Sequence, residues 1–129
     1  MKNKRLTQLA AGVILLAISC PLFAHHSAAR YDRNKRMTLK GTVTRWLLIN
    51  PHAQVHFEVK DDKGNVEKWI AESGPPQRLY RAGWNPKSLK PGDQITVTGA
   101  PAIGAPQVLS ILELVVEGGT APTLTEGAE

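Results

Sequence analysis

The stretch His52 to Lys60, HAQVHFEVK, alternates strictly: Ala53, Val55, Phe57 and Val59 fall on one side of an extended chain, and His52, Gln54, His56, Glu58 and Lys60 on the other. Side chains change face at every residue of a strand, so the pattern describes a strand with one buried and one wet face. Such a strand cannot stand alone, and the flanking sequence supplies its partners. Thr38 to Asn50, TLKGTVTRWLLIN, sets Leu39, Gly41 and Val43 against Lys40, Thr42 and Thr44. The alternation fails at Arg45-Trp46, which predicts a bulge in a bent strand, and Gly41 eases the bend by carrying no side chain. Pro51 then breaks the chain, because it lacks an amide hydrogen and holds Asn50 extended.

Asp61 to Asn65, DDKGN, reads as a hairpin loop with Gly64 supplying positive φ, and Val66 to Glu72 returns as a third strand. Ser73-Gly74-Pro75-Pro76 opens a short helix, with Ser73 or Gly74 as cap. Gln77 to Ala82 carries the helix and Gly83 stops it, leaving Leu79 and Tyr80 to pack on the sheet. Trp84 follows in a loop closed by the Pro91-Gly92 turn, before strands at Gln94 to Gly99 and Val108 to Val116. The second of these is apolar on both faces. The expected order is therefore β-β-β-α-β-β, all-β with one short helix, which is that of the five-stranded OB-fold-like barrel. An open β-sandwich is the alternative. Residues 38–116 form the expected barrel domain, and 117–129, rich in Gly, Thr, Pro and Glu, an expected disordered tail.

The first 24 residues belong to a different argument. Lys2, Lys4 and Arg5 precede the apolar run Leu9 to Ile18, and small Ala24 closes Pro21-Leu22-Phe23-Ala24, the pattern of a signal peptide cleaved after Ala24. The run is too short for a membrane span of about 20 residues. The expectation is a periplasmic protein. A rival reading takes Ala17-Ile18-Ser19-Cys20 as a lipobox, with the mature chain anchored at a lipidated Cys20. Cleavage after Ala24 leaves 105 of the 129 residues, with no cysteine and hence no disulfide to help a small core. It also lowers the net charge from +5 to +2 by removing three basic residues. The high overall pI thus comes partly from the leader, and nucleic acid is not an expected partner.

The combination AHHS, TLKGTVT, INPHA, the Trp69 to Glu72 segment, Gly83-Trp84 and SLKPGDQITVTGAPA resembles the DUF6152 family of small exported bacterial proteins over nearly all of residues 25–116. The resemblance implies export and a compact β domain, and no activity, since the family has no settled function. Gln54-Val55-His56 departs from it: relatives often carry aromatic or aliphatic residues there.

The paired histidines His25 and His26 open the irregular arm 25–37, directly after the expected cleavage site. Cleavage would give His25 a free α-amine, which together with its own Nδ1 can chelate one metal ion. A further imidazole, from His26 or His52, would complete a histidine brace. Nitrogen donors of this kind suit Cu(II) first, then Zn(II) and Ni(II). His56 shares a strand face with His52 but lies about 13 Å away at ~3.3 Å per residue, too far to share an ion. A solvated arm and a locally bonded His52 are the bland alternative. Lipidation at Cys20 would leave His25 an ordinary amide and forbid the brace.

A second candidate surface is the outward face of the His52 to Lys60 strand. Gln54, His56 and Glu58, with Trp84 as an aromatic anchor and Glu72 orienting a histidine, would form a metal-free ligand-binding or protein-interaction module. Trp46, Trp69 and Trp84 equally suit core filling. Ser27 and Ser73 stand in no catalytic motif and there is no glycine-rich phosphate loop, so a binding protein is expected, not an enzyme.

Overall fold

In a computed structural model that describes residues 30–119 and 121–125, five strands close into a barrel. They are β1 (Met37–Leu47), β2 (Gln54–Lys60), β3 (Val66–Glu72), β4 (Gln94–Pro101) and β5 (Val108–Val116), with one helix, α1 (Pro76–Arg81), between β3 and β4. Adjacent strands run antiparallel in the order β3-β2-β1-β4-β5, and a parallel pairing of Ile70, Ala71 and Glu72 with Val108, Leu109 and Ser110 shuts the barrel. This is the all-β architecture expected from the element order. The inward residues of β2, Val55 and Phe57, pack with Ala71, Ile95, Val97 and Leu109, all at most 1% exposed. Among the described residues, no helix is long and apolar enough to cross a membrane.

Two bulges explain where strict alternation fails. In β1 the pairing with β2 shifts between Val43 and Arg45, so Val43 and Trp46 both face inward, opposite Phe57 and Val55. Thr44 is the extra residue, and Arg45 comes to lie opposite His56 on the outer face. In β5 the register against β4 skips Leu112, so Leu109 and Ile111 are buried before the bulge and Leu114 after it. A run that is apolar on both parities therefore still serves one core, because the inward parity changes midway. Gly41 fits a close approach: a Cβ there would stand 2.6 Å from the Glu58 carbonyl oxygen and 2.7 Å from Phe57 Cδ2.

Three expectations are corrected. The tail is not wholly irregular: Leu124–Thr125 form a sixth strand, β6, against Glu113 and Leu114, and Leu124 is buried. Its apolar side chain fills a place on the core that the polar composition of the tail conceals. Tyr80 is 50% exposed while Leu79 is buried, because consecutive residues of a helix lie about 100° apart and this one turns a single face to the barrel. The helix cap is Pro75, not Ser73 or Gly74, and α1 begins at Pro76. Gly64 and Gly83 take positive φ, 84° and 88°, at the predicted hairpin and helix stop.

Candidate functional site

Parity along β2 and β3 sets the composition of one patch of the outer wall. Gln54 pairs with Glu72 and His56 with Ile70, and all four face away from the core. The β1 bulge adds Arg45 beside His56. A wet face of this kind needs partners for any polar group that it half buries.

Those partners come from a segment outside the barrel strands. Tyr31 forms an isolated bridge with Ala102, the Asp32 amide donates to the Pro101 carbonyl (2.9 Å), and the Ile103 amide donates to the Arg30 carbonyl (2.8 Å). Docked at the end of β4 in this way, the arm delivers the Tyr31 hydroxyl to Oε2 of Glu72, to which it donates. Arg30 Nη1 stands 3.5 Å from the same oxygen, and Gln54 Nε2 donates to Oε1 at 3.2 Å. Glu72 is only 8% exposed, so its carboxylate is held by three side chains rather than by bulk water. Burial, and then the hydrogen bond and charge of Glu72, push the Tyr31 phenol far above its usual range. Tyr31 is therefore a donor at any physiological pH. The Arg30 guanidinium lies 5.7 Å from the centre of the Tyr31 ring, a cation–π distance.

The hydrogen bonds assign the imidazole protons. A carboxylate only accepts, so Gln54 presents its NH₂ to Glu72 and its oxygen to His56 Nε2, 3.2 Å away. His56 must then carry its proton on Nε2, leaving the lone pair on Nδ1. Burial, then the charge of Arg45, lowers its pKa below the ordinary imidazole value, so this ring is neutral at pH 7. His52 is the converse case. Its Nδ1 lies 3.1 Å from the Ser73 carbonyl oxygen, which can only accept, so Nδ1 carries the proton and Nε2 the lone pair. The chain reaches His52 through a cis Asn50-Pro51 peptide, and on the other side of His52 the backbone of Ala53 is pinned by hydrogen bonds with Gly74 and Ser73.

Of the residues expected to act, Gln54, His56 and Glu72 come together, and Glu72 orients His56 through Gln54 rather than directly. His52 precedes β2 by two residues and is half-buried, and Glu58, two residues beyond His56 in β2, is half-buried as well. Trp84 is a correction: at 1% exposure it belongs to the core, edge-on to Trp46 at 5.8 Å between ring centres, and it cannot anchor a ligand on the surface. Its position after the stop of α1, where the Trp84 amide bonds the Leu79 carbonyl, turns the indole inward. His25 and His26 lie outside the described residues. Among the described residues no three His, Cys, Asp or Glu side chains form a group able to hold a metal ion. The sequence reading missed Arg30 and Tyr31. The sole signal was an aromatic residue in an otherwise polar arm, RYD, and nothing local ties it to a glutamate 41 residues away.

No curated protein matches the chain. A family model covers residues 12–107, well over half of the sequence and including the docked arm, β1 to β4 and α1, and by that match the chain belongs to DUF6152, a family of unknown function.

Proposed function

We propose that this is an exported binding protein that holds a transition metal ion, copper(II) before zinc or nickel, between its mature N-terminal residue His25 and His52, with His26 nearby. The observation that carries the reading is the His52 Nδ1 hydrogen bond to the Ser73 carbonyl. A backbone acceptor on one ring nitrogen sets the tautomer and orientation that metal-bound histidines use, and it leaves Nε2 as the donor atom. The docking of Arg30 and Tyr31 adds support. Glu72 stands opposite Gln54, two residues from His52, and five residues of chain from Arg30 to His25 span at most about 18 Å. That length of chain supports a site shared by His25 and His52. Its α-amine, with a reference pKa near ~8, must lose its proton to bind, so affinity would fall in acid. Buffering the ion, or passing it to a periplasmic partner, is the role such a site would serve.

The test is a Cu(II) titration of metal-stripped protein purified from the periplasm, its N-terminus read by mass spectrometry, beside a variant with one added residue before His25 and beside His52→Ala. One-to-one binding weakened at least tenfold in both variants is the expected result. Equal weak binding by all three proteins would overturn the metal reading. The second reading is a metal-free ligand-binding or protein-interaction module on the Gln54, His56, Glu58 face, and the ordered Glu72–Gln54–His56 relay favours it. That module would tolerate the added residue.

A further inference from the structure

We infer that the open edge of β3, with the groove beside it, receives an extended segment of an acidic polypeptide as an added strand. The odd-numbered residues of β3 turn their backbone groups toward β2, the alternation that continues in the Ser73 amide bond to the Ala53 carbonyl. The even-numbered residues turn theirs away: the Ile70 amide donates to the Gln107 carbonyl, at the start of the short β3–β5 closure. That closure covers only Ile70 to Glu72. The amides and carbonyls of Val66 and Lys68 therefore face the open side, where no backbone group among the described residues meets them. The chain before β5 turns at Gly104 and Gln107, which take φ 76° and 59°, and among the described residues its one backbone bond to β3 is the one from Ile70 to Gln107. Two residues of ladder are left unmade in line with β5, a template for strand addition.

A groove of about 650 Å³ beside the start of β5 reaches β3 at Trp69 and offers side-chain contacts to a strand added there. Trp69, Met37, Pro101, Pro106 and Val108 give it apolar walls, and Lys35 and Arg36 stand on its rim. Its lining contains no carboxylate. Lys68 adds a third cation at the edge, while Glu67 is held by the Trp69 indole N–H at 3.0 Å and Lys35 is shared with Asp32 at 3.3 Å. A lysine on an open edge opposes pairing with a second copy of the same edge, where like charges would meet, and favours a partner with glutamate or aspartate at alternate positions. Trp69 is three residues up the chain from Glu72, so this surface is separate from the His52 region and does not depend on metal binding.

The probe is an acetylated, amidated octapeptide alternating Glu and Val, added to the ¹⁵N-labelled protein, with a Lys and Val octapeptide as control. Binding of the acidic peptide should slow amide exchange of Val66 and Lys68 at least tenfold while leaving the Trp69 amide, already bonded to β2, unchanged. Arg36→Glu should weaken that binding at least tenfold at an unchanged melting temperature, and the basic peptide should not bind. Equal binding of both peptides, or slowing confined to other amides, would overturn the inference. So would protection of Lys68 that rises with protein concentration alone, which would assign the edge to a second copy of the chain.

Discussion

Tyr31→Phe removes one hydroxyl from the clamp on Glu72 and nothing else of size, so it isolates the contribution of the arm to the fold. A hydrogen bond to a charged acceptor is worth roughly 1.5–3 kcal/mol. Glu72 keeps Gln54 and Arg30, and the half-buried Tyr31 leaves a gap that water can enter, so the expected loss is at the lower end, about 1–2 kcal/mol. For a domain of this size, that is a fall of about 4–12 °C in melting temperature. The pH dependence is a sharper mark. The folded pKa of Tyr31 is raised above its unfolded value of 10.0, so its contribution is complete below pH 10 and is lost as pH rises toward the higher folded value. The wild type should therefore lead Tyr31→Phe by a constant margin from pH 7 to 9, and the margin should shrink above pH 10. Thermal denaturation of both proteins across this range, followed by circular dichroism, measures it. Melting temperatures within 1 °C of each other at pH 7, with no divergence in alkali, would refute the clamp.

Other expectations concern the site and the core. His56 has a folded pKa below its unfolded value of 6.5, so the unfolded chain binds its proton first, and stability tied to this residue is lost as pH falls below 6.5; His56→Gln should flatten that slope in acid denaturation, and an NMR titration should place the ring below 6.5 with Arg45→Gln moving it up. Trp84 Nε1 is buried with no hydrogen-bond partner among the described residues. Trp84→Phe should thus cost less than about 1.5 kcal/mol, whereas Trp84→Ala should cost about 3–5 kcal/mol in urea unfolding. Gly41→Ala forces a methyl group to within 2.6 Å of the Glu58 carbonyl oxygen and should destabilise by about 1–3 kcal/mol, read by the same denaturation.

Much of the architecture was legible in the sequence because the signals involved are local. The alternation of HAQVHFEVK, Gly64 in its turn and the Pro-rich start of a short helix each bear on neighbouring φ and ψ angles. The faltering pattern at Arg45-Trp46 marked a bulge that the β1–β2 register contains. The tail misled because its composition is polar while one residue, Leu124, does the burying. Trp84 misled because an aromatic residue in a loop reads alike whether the loop turns it inward or outward.

The site divides along the same line. Alternation by itself determines that Gln54, His56 and Glu58 share the outward face of one strand, since a side chain cannot change face without a slip of the whole pattern. It carries no information about what stands opposite. Only the register of β2 on β3 sets Gln54 against Glu72, only the bulge sets Arg45 against His56, and only closure onto the end of β4 brings Tyr31 across 41 residues of sequence to the same carboxylate. These pairings depend on how the strands register against one another, which is decided by the packing of the barrel as a whole. Periodicity is a property of neighbours in the chain, and a binding site is a property of neighbours in space.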